Sequence, residues 1–358
     1  MTWLDGWDYR KSHVIKQTSG AGTDYQIRIK VHYGSGTDSG EDVYLNGKCK
    51  SDFSDVRFTK DDGVTLLDYW IEEYVDGDYA LFWVKLTDDL SAGDVTIYVY
   101  YGNEDATSLS DGESTFPFFD DFSGDLSKWV IESGSWSIQD GKLYCDAVGA
   151  EAIIRTDTFV MSNHAVRYKW QFINWREGSR DGVLARFQDT GNFYAYWLTQ
   201  GVNVEGKSCS VEKRLNGSWE GYWIHYVLQD FTTNVWYKLS FRLYGNTVRA
   251  YFNDEEKLSV EYTDWASGKI GFRTFYNDIY IDWVLVRKYV YPEPEHGDWG
   301  SEETPYVPKT YKLRLPFTRL LMQPRGWLKK LEDSTVTGLR RPYIPYILQP
   351  MAKWEVEE

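Results

Sequence analysis

Between residues 116 and 129 the chain reads FPFFDDFSGDLSKW, three aspartates set among four phenylalanines and a tryptophan. A carboxylate among core-forming residues is costly unless it is hydrogen-bonded, paired or coordinated. Asp120 and Asp121 therefore either cap turns through backbone N–H groups or lend oxygens to a hard cation. Calcium, which takes about six to eight oxygen ligands, is the cation such a set would suit.

Two aromatic stretches offer a different chemistry. In NFYAYWL (192–198), strand alternation puts Tyr194 and Tyr196 on one face and Phe193 and Trp197 on the other, and one of these faces must enter a core. RLNGSWEGYWIHY (214–226) gathers Trp219, Tyr222, Trp223 and Tyr226 around Gly217 and Gly221, the composition of a hairpin tip with exposed rings. Exposed indole and phenol rings stack on the C–H faces of sugars, while neighbours such as Arg186, Glu212 and Lys213 bind hydroxyls. Tyr194, Tyr196, Trp219, Tyr222, Trp223 and Arg186 form the expected glycan-binding set. Any one of these rings could equally fill a wide sandwich.

Local motifs for catalysis are missing. There is no G-x-S-x-G, no HExxH and no P-loop, and the five histidines (His13, His32, His164, His225, His296) form no visible pair. The acidic run WIEEYVDGD (70–78) has no catalytic spacing. No catalytic residue is assigned, and the expectation is a chain that is not an enzyme. Cys49, Cys145 and Cys209 have neither metal nor disulfide spacing and read as isolated buried thiols.

The elements that must position these residues are strands. Tyr, Trp and Phe make up 17% of 358 residues, and nine of the ten prolines follow residue 291. Proline is excluded from central strands, so its near absence before 291 suits a sheet-rich body. YQIRIKVHY (25–33), VTIYVYY (95–101), YKLSFRLYG (237–245) and VRAYFND (248–254) alternate with period two. Apolar patterning lapses over DATSLSDGES (105–114), a seam between two units. YPEPEHGDWGSEETPYVP (291–308) reads as an extended Pro/acidic linker.

Residues 309–358 carry ten Lys/Arg against five Asp/Glu, whereas the remaining 308 carry 29 against 49. A basic tail with Trp327, Leu331 and Ile344, but without enough apolar mass for its own core, calls for another surface. The net charge of −15 argues against nucleic acid as a partner. No apolar run is long enough to cross a membrane as a helix, and the start lacks the pattern of a signal peptide.

Five motifs in order, FFDDF, SGSWSIQDGKLYC, WYKLSFRLYGNTVRAYFND, SGKIGFRT and IYIDWVLVRK, resemble the concanavalin A-like, or laminin G-like, jelly roll over about 117–291. The blocks WDYRKSHVI, DVRFTKDDG, LLDYWIEE, ALFWVKL and IYVYYGNEDA resemble an uncharacterised β-domain of archaeal and bacterial surface proteins over about 5–105. The first resemblance implies that the opening and closing strands are neighbours. It thereby implies a structural Ca2+ held by Asp120 or Asp121 with Asp282, against the alternative of turn capping. Retaining glycosidases of this fold carry E-x-D-x-E or E-x-D-x-x-E on one strand, and neither string occurs here.

The expected fold class is all-β: two consecutive jelly-roll-like sandwiches, residues 1–105 and 117–291, then a linker (292–308) and an extended, Pro-rich docking tail (309–358). The expected function is a non-catalytic binding or adhesion protein with a glycan-recognising jelly roll. It would be displayed on a virion or extracellular surface, as a structural or receptor-binding subunit. Residues 309–358 would contact neighbouring subunits, in a homo-oligomer or larger assembly. The alternatives are a secreted or cell-surface polysaccharide-binding protein and a polysaccharide-active enzyme.

Overall fold

A computed structural model describes residues 2–147, 150–201, 206–221, 224–305, 311–314 and 353–356. It is almost entirely β and divides into a compact body, residues 1–303, and a second unit, 304–358.

The body opens with seven strands: β1 (Tyr9–Ile15), β2 (Tyr25–His32), β3 (Asp42–Tyr44), β4 (Arg57–Lys60), β5 (Tyr69–Val75), β6 (Tyr79–Leu86) and β7 (Val95–Tyr101). They form two facing sheets, one ordered β3-β2-β6-β5 and the other built on β1-β7-β4. The period-two pattern does what it must: Ile27, Ile29 and Val31 of β2 enter a core with Phe58, Phe82, Val84, Ile97 and Val99. Each such side chain contributes about 1.5–3 kcal/mol on burial. A single helical turn, α1 (Gly112–Thr115), follows, capped by Asp111, whose carboxylate accepts the Ser114 N–H.

The second sandwich runs through β8 (Phe118–Asp120), β9 (Trp129–Ser133), β10 (Ser135–Gln139), β11 (Lys142–Asp146), β12 (Glu151–Thr156), β13 (His164–Phe172), β14 (Arg180–Asp189) and β15 (Asn192–Gln200). It continues through β16 (Lys207–Leu215), β17 (Ser218–Glu220), β18 (Tyr226–Leu228), β19 (Trp236–Tyr244), β20 (Thr247–Phe252), β21 (Glu255–Glu261), β22 (Lys269–Phe275) and β23 (Ile279–Lys288). One sheet has the order β10-β11-β23-β13-β19-β20-β21, with β8 beside β23. The other has the order β17-β16-β15-β14-β22-β12-β9, with β18 beside β16. Sequence-distant neighbours such as β13 and β23 are the crossovers of a jelly roll. Trp170, Phe241, Phe272, Tyr196 and Val286 lie in the core between the sheets.

The expected linker needs correction. Residues 296–299 form β24 (His296–Trp299), which pairs antiparallel with β1 and completes the first sandwich's second sheet. Trp299 stacks on His13 with ring centroids 3.7 Å apart, and Glu302 bonds the hydroxyl of Tyr101. Pro292 and Pro294 precede this strand and Pro305 and Pro308 follow it, so none interrupts its ladder. The chain thus returns to its own beginning: Glu302 and Glu303 pair with Lys48 and Arg10 of the first sandwich, and Glu293 pairs with Arg242 and Arg287 of the second.

The two sandwiches meet over Trp70, Trp83, Phe116, Phe119, Trp283 and Leu285, a separate apolar cluster. Beside it Glu72 of β5 pairs with Arg167 of β13 and Lys238 of β19. The second unit contributes β25 (Tyr311–Arg314) and β26 (Lys353–Val356), paired antiparallel. The rest of the tail, including Trp327, Leu331 and Ile344, and with it the expected docking role, lies outside the described residues. Among the described residues no helix is long and apolar enough to cross a membrane.

Candidate functional site

Strand β15 settles which aromatic face is core. Tyr194, Tyr196 and Leu198 point between the sheets, while Phe193, Ala195 and Trp197 occupy the opposite face with Ile153, Leu184 and Phe187. Tyr194 and Tyr196 are fully buried, with the Tyr194 hydroxyl accepting from the backbone N–H groups of Asp264 and Trp265. Neither ring can stack on a ligand, which corrects that part of the expected set. Arg186 is corrected likewise: it is 1% exposed and its guanidinium donates to the carbonyls of Trp265 and Gly245. Trp219 is half-buried and stands on the outer face. Tyr222 and Trp223 lie outside the described residues.

The outer face of the β17–β9 sheet assembles a cluster that no local motif announces. Register aligns Ile153, Arg273, Gly182, Trp197 and Ser210 in one row across β12, β22, β14, β15 and β16. With no side chain at Gly182, the large groups on either side close over it, and the Arg273 guanidinium lies 5.2 Å from the Trp197 ring centre. Trp219 packs edge-on against Phe193 and Trp197. The guanidinium carbons of Arg180, Arg214 and Arg273 stand 5.8, 5.2 and 5.3 Å from the Trp219 ring.

Two glutamates balance these arginines. Glu151 accepts from Arg273 Nε at 2.6 Å and from Arg214 at 3.3 Å. Glu212, fully buried, lies 3.5 Å from Arg180 Nε. Burial works against the Glu151 charge, but Arg273 and Arg214 outweigh it and hold the carboxyl below its ordinary pKa. At neutral pH Glu151 is therefore an anion able to accept a proton, not to donate one. The indole N–H of Trp197 and the hydroxyl of Ser210, opposite each other in register, are buried without a hydrogen-bond partner. Such groups are rare because each costs desolvation free energy that nothing offsets.

The aspartates of 116–129 have separate duties. Asp120 is buried, accepting from the Phe122 N–H at 2.8 Å and the Trp129 indole at 2.7 Å, and burial raises its pKa. Asp121 accepts from the N–H and hydroxyl of Ser123. β8 does pair with β23, Asp120 opposite Val284, but Asp282 is held by Lys169 at 2.8 Å. Each carboxylate has a protein donor, an arrangement that accounts for the turn-capping alternative. Among the described residues no group of three His, Cys, Asp or Glu is placed to share a cation.

Trp219, Trp197 and Glu212 lie in stretches whose composition marks them in the sequence, whereas Glu151, Arg180, Arg214 and Arg273 carry no local signal. Their signal is long-range register, which alternation within one strand does not carry.

Residues 52–136 match a domain of unknown function, DUF2341. An extracellular exo-alpha-L-arabinofuranosidase from Streptomyces chartreusis is 32% identical over 102 residues, and the match spans 27% of this chain but only 12% of that protein. Among solved structures, the carbohydrate binding module CBM66 from Bacillus subtilis aligns with a TM-score of 0.41 at 14% identity, covering 47% of this chain and 99% of that one. The GH43 protein BlXynB from Bacillus licheniformis aligns with a TM-score of 0.39 at 14% identity, covering 63% and 46%. Residues 106–286, half of the chain, match a family named for a lyase, which overturns the expectation that the chain is not an enzyme. By that match, the chain belongs to the family of 3-keto-alpha-glucoside-1,2-lyase-like domains.

Proposed function

We propose that the second sandwich is a carbohydrate-active enzyme domain, working on the outer face of the β17–β9 sheet. The observation that carries this reading is the ionised Glu151, clamped by Arg273 and Arg214, beside the indoles of Trp197 and Trp219. A carbonyl at C3 of a glucoside acidifies the hydrogen at C2. A carboxylate base takes that proton, the C2–H electron pair forms a C1=C2 double bond, and the C1–O bond breaks. The proton taken by the carboxylate is then passed to the departing alkoxide, which leaves as an alcohol. Glu151 is the candidate base, and the guanidinium group of Arg214 suits the enolate oxygen that develops at C3, while the buried Arg273 holds Glu151 from behind. Trp219 supplies the stacking surface, with the buried Trp197 packed edge-on beneath it.

Glycan recognition thus remains part of the reading, joined to catalysis. An extracellular setting fits the relative that is itself described as extracellular. The expected virion subunit gains no support from the relatives named above.

The test is release of nitrophenolate from p-nitrophenyl 3-keto-α-glucoside by the full chain. Glu151→Gln should lower kcat about a hundredfold or more, and Trp219→Ala should raise KM. Turnover unaffected by either substitution, or absent from the wild type, would refute the assignment.

A further inference from the structure

The opposite sheet of the jelly roll, β10-β11-β23-β13-β19-β20-β21, carries aromatic rings of its own, away from the Glu151 cluster. Register sets Tyr144 of β11, Tyr280 of β23, Gln171 of β13 and Trp236 of β19 in one row across four adjacent strands. Their sequence neighbours Cys145, Ile281, Trp170 and Tyr237 enter the core between the sheets, so strand alternation turns the row outward. All four members of the row are half-buried rather than enclosed. At about 4.8 Å per strand step, the row runs about 14 Å from Tyr144 to Trp236. The first sandwich covers this face further along β23, at Trp283 and Leu285.

The outward side of an antiparallel sheet is ordinarily polar, yet three of these four residues are Tyr or Trp. The Tyr144 and Tyr280 rings lie 5.0 Å apart and make one continuous surface, with the Tyr280 hydroxyl donating to the Gln139 amide oxygen at 3.3 Å. At the other end, Trp236 opens onto a cavity of about 410 Å3, walled also by Glu73, Lys169, Lys238, Asn253 and Asp254. Lys169 Nζ stands 5.2 Å from the centre of the Trp236 ring. It pairs with Asp282 at 2.8 Å, and the two side chains remain 30% and 25% exposed. Lys238 pairs with Glu73 of the first sandwich at 2.7 Å. Rings in line beside solvent-facing donors and acceptors are the chemistry of a sugar chain. Pyranose C–H faces stack on Tyr and Trp, and hydroxyls, which both donate and accept, bond the Gln171 amide and the Lys169–Asp282 pair. A protein partner would instead bury a broad patch, of which a single row of half-sunk rings is a small part.

We infer that this row is a second glycan-binding site, on the sheet opposite the Glu151 face. It takes an extended oligosaccharide that lies across the strands with one end in the cavity at Trp236. Such a site would hold a polysaccharide against the domain while the other face works. The inference stands on these residues and not on the assignment of Glu151.

The test titrates the full chain by calorimetry with cellohexaose, maltohexaose and glucose. The expected result is saturable binding of cellohexaose, whose extended chain can meet all three rings. The coiled maltohexaose and glucose, which touch fewer rings, should bind roughly tenfold or more weaker. Trp236→Ala and Tyr280→Ala should each weaken cellohexaose binding roughly tenfold, the effect of one stacked ring. Melting temperatures should stay near that of the wild type, since neither ring belongs to the core. Gln171→Leu keeps the volume and removes the amide, and should weaken binding by a smaller factor. Glu151→Gln and Trp219→Ala should leave cellohexaose binding intact. No binding of cellohexaose, or binding that survives both Trp236→Ala and Tyr280→Ala, overturns the proposal. Tighter binding of maltohexaose overturns the extended-ligand assignment. Self-association that Trp236→Ala abolishes, without sugar binding, would make the row a protein contact instead.

Discussion

Arg167 and Glu72, 95 residues apart in the chain, face each other as a two-pronged pair, Nε and Nη2 each 2.8 Å from a carboxylate oxygen. Glu72 belongs to the first sandwich and Arg167 to the second, and both are almost wholly buried. Burial opposes the Glu72 charge, but Arg167, Lys238 and the Trp83 indole outweigh it and lower the carboxyl from 4.5 to about 2. The pair is the polar centre of an otherwise aromatic junction between Trp70, Trp83 and Trp283.

Arg167→Met should therefore leave the buried Glu72 carboxylate to Lys238 and the Trp83 indole, without its two-pronged partner, and cost up to about 3–5 kcal/mol. Adding Glu72→Leu to that variant should restore most of the loss, because an apolar pair of similar volume incurs no desolvation penalty. A folded pKa below the unfolded one contributes stability that is complete above about pH 4.5 and disappears as pH falls towards about 2. Chemical denaturation of wild type and both variants, repeated across this window, checks the effect. A single variant as stable as the wild type would remove the pair from the junction's energetics.

His13 sets a second acid limit at higher pH. It is fully buried between Trp299 and His296, with its Nε2 2.8 Å from His296 Nδ1. Burial and the neighbouring His296 lower its pKa from 6.5 to about 3, with the Asp298 backbone opposing. The unfolded chain thus binds a proton that the folded chain refuses. Stability should fall from pH 6.5 downwards, by up to about 1.4 kcal/mol per pH unit, until pH approaches 3. His13→Phe keeps an aromatic ring against Trp299 and should flatten that slope, at some cost near neutrality. Melting curves of the two proteins that run parallel between pH 6.5 and 4.5 would show that His13 does not titrate with unfolding.

The turn-capping geometry of Asp120 and Asp121 gives a result opposite to that of a bound cation. A ligand specific to the folded state raises stability by mass action. With Asp120 occupied by Phe122 and Trp129, and Asp282 by Lys169, addition of a chelator should leave the melting temperature unchanged. Asp120→Ala should destabilise by about 1–3 kcal/mol, from the unpartnered Trp129 indole and Phe122 N–H. A melting temperature that falls with chelator and recovers with Ca2+ would restore the metal reading.

What the sequence discloses follows from the range of its signals. Alternation in YQIRIKVHY and VTIYVYY marks strands because the pattern is local, and β2 and β7 form there. The ambiguity in NFYAYWL is also local: alternation defines two faces of β15, but only packing decides that Tyr194 and Tyr196 are the inner ones. HGDW looks like a loop by composition, since a four-residue edge strand needs no apolar run when its partner β1 supplies the ladder. Glu151, Arg214 and Arg273 are scattered over more than a hundred residues and meet only through the β12–β22–β14–β15–β16 register. Their charges read as solvated surface until that register is known.

Gly182 is where fold and site depend on one residue. It sits between Trp197 and Arg273 in register, and a Cβ there would come within 2.0 Å of the Tyr196 carbonyl oxygen and 3.1 Å of its carbon. Backbone atoms cannot turn aside as a long side chain can, so an added methyl must part β14 from β15. Overpacking of this kind costs about 1–3 kcal/mol, and the strands it separates are the ones that carry Arg180, Trp197 and the floor beneath Arg273. Gly182→Ala should therefore lower both the unfolding free energy and turnover of p-nitrophenyl 3-keto-α-glucoside. Val183→Ala is the control: its side chain faces the opposite way, into the inter-sheet core. It should destabilise by cavity formation while leaving the Trp197–Arg273 stack in place. At matched destabilisation, only Gly182→Ala should change KM. Equal KM in the two variants would show that the close approach at Gly182 serves the sheet alone and not the cluster above it.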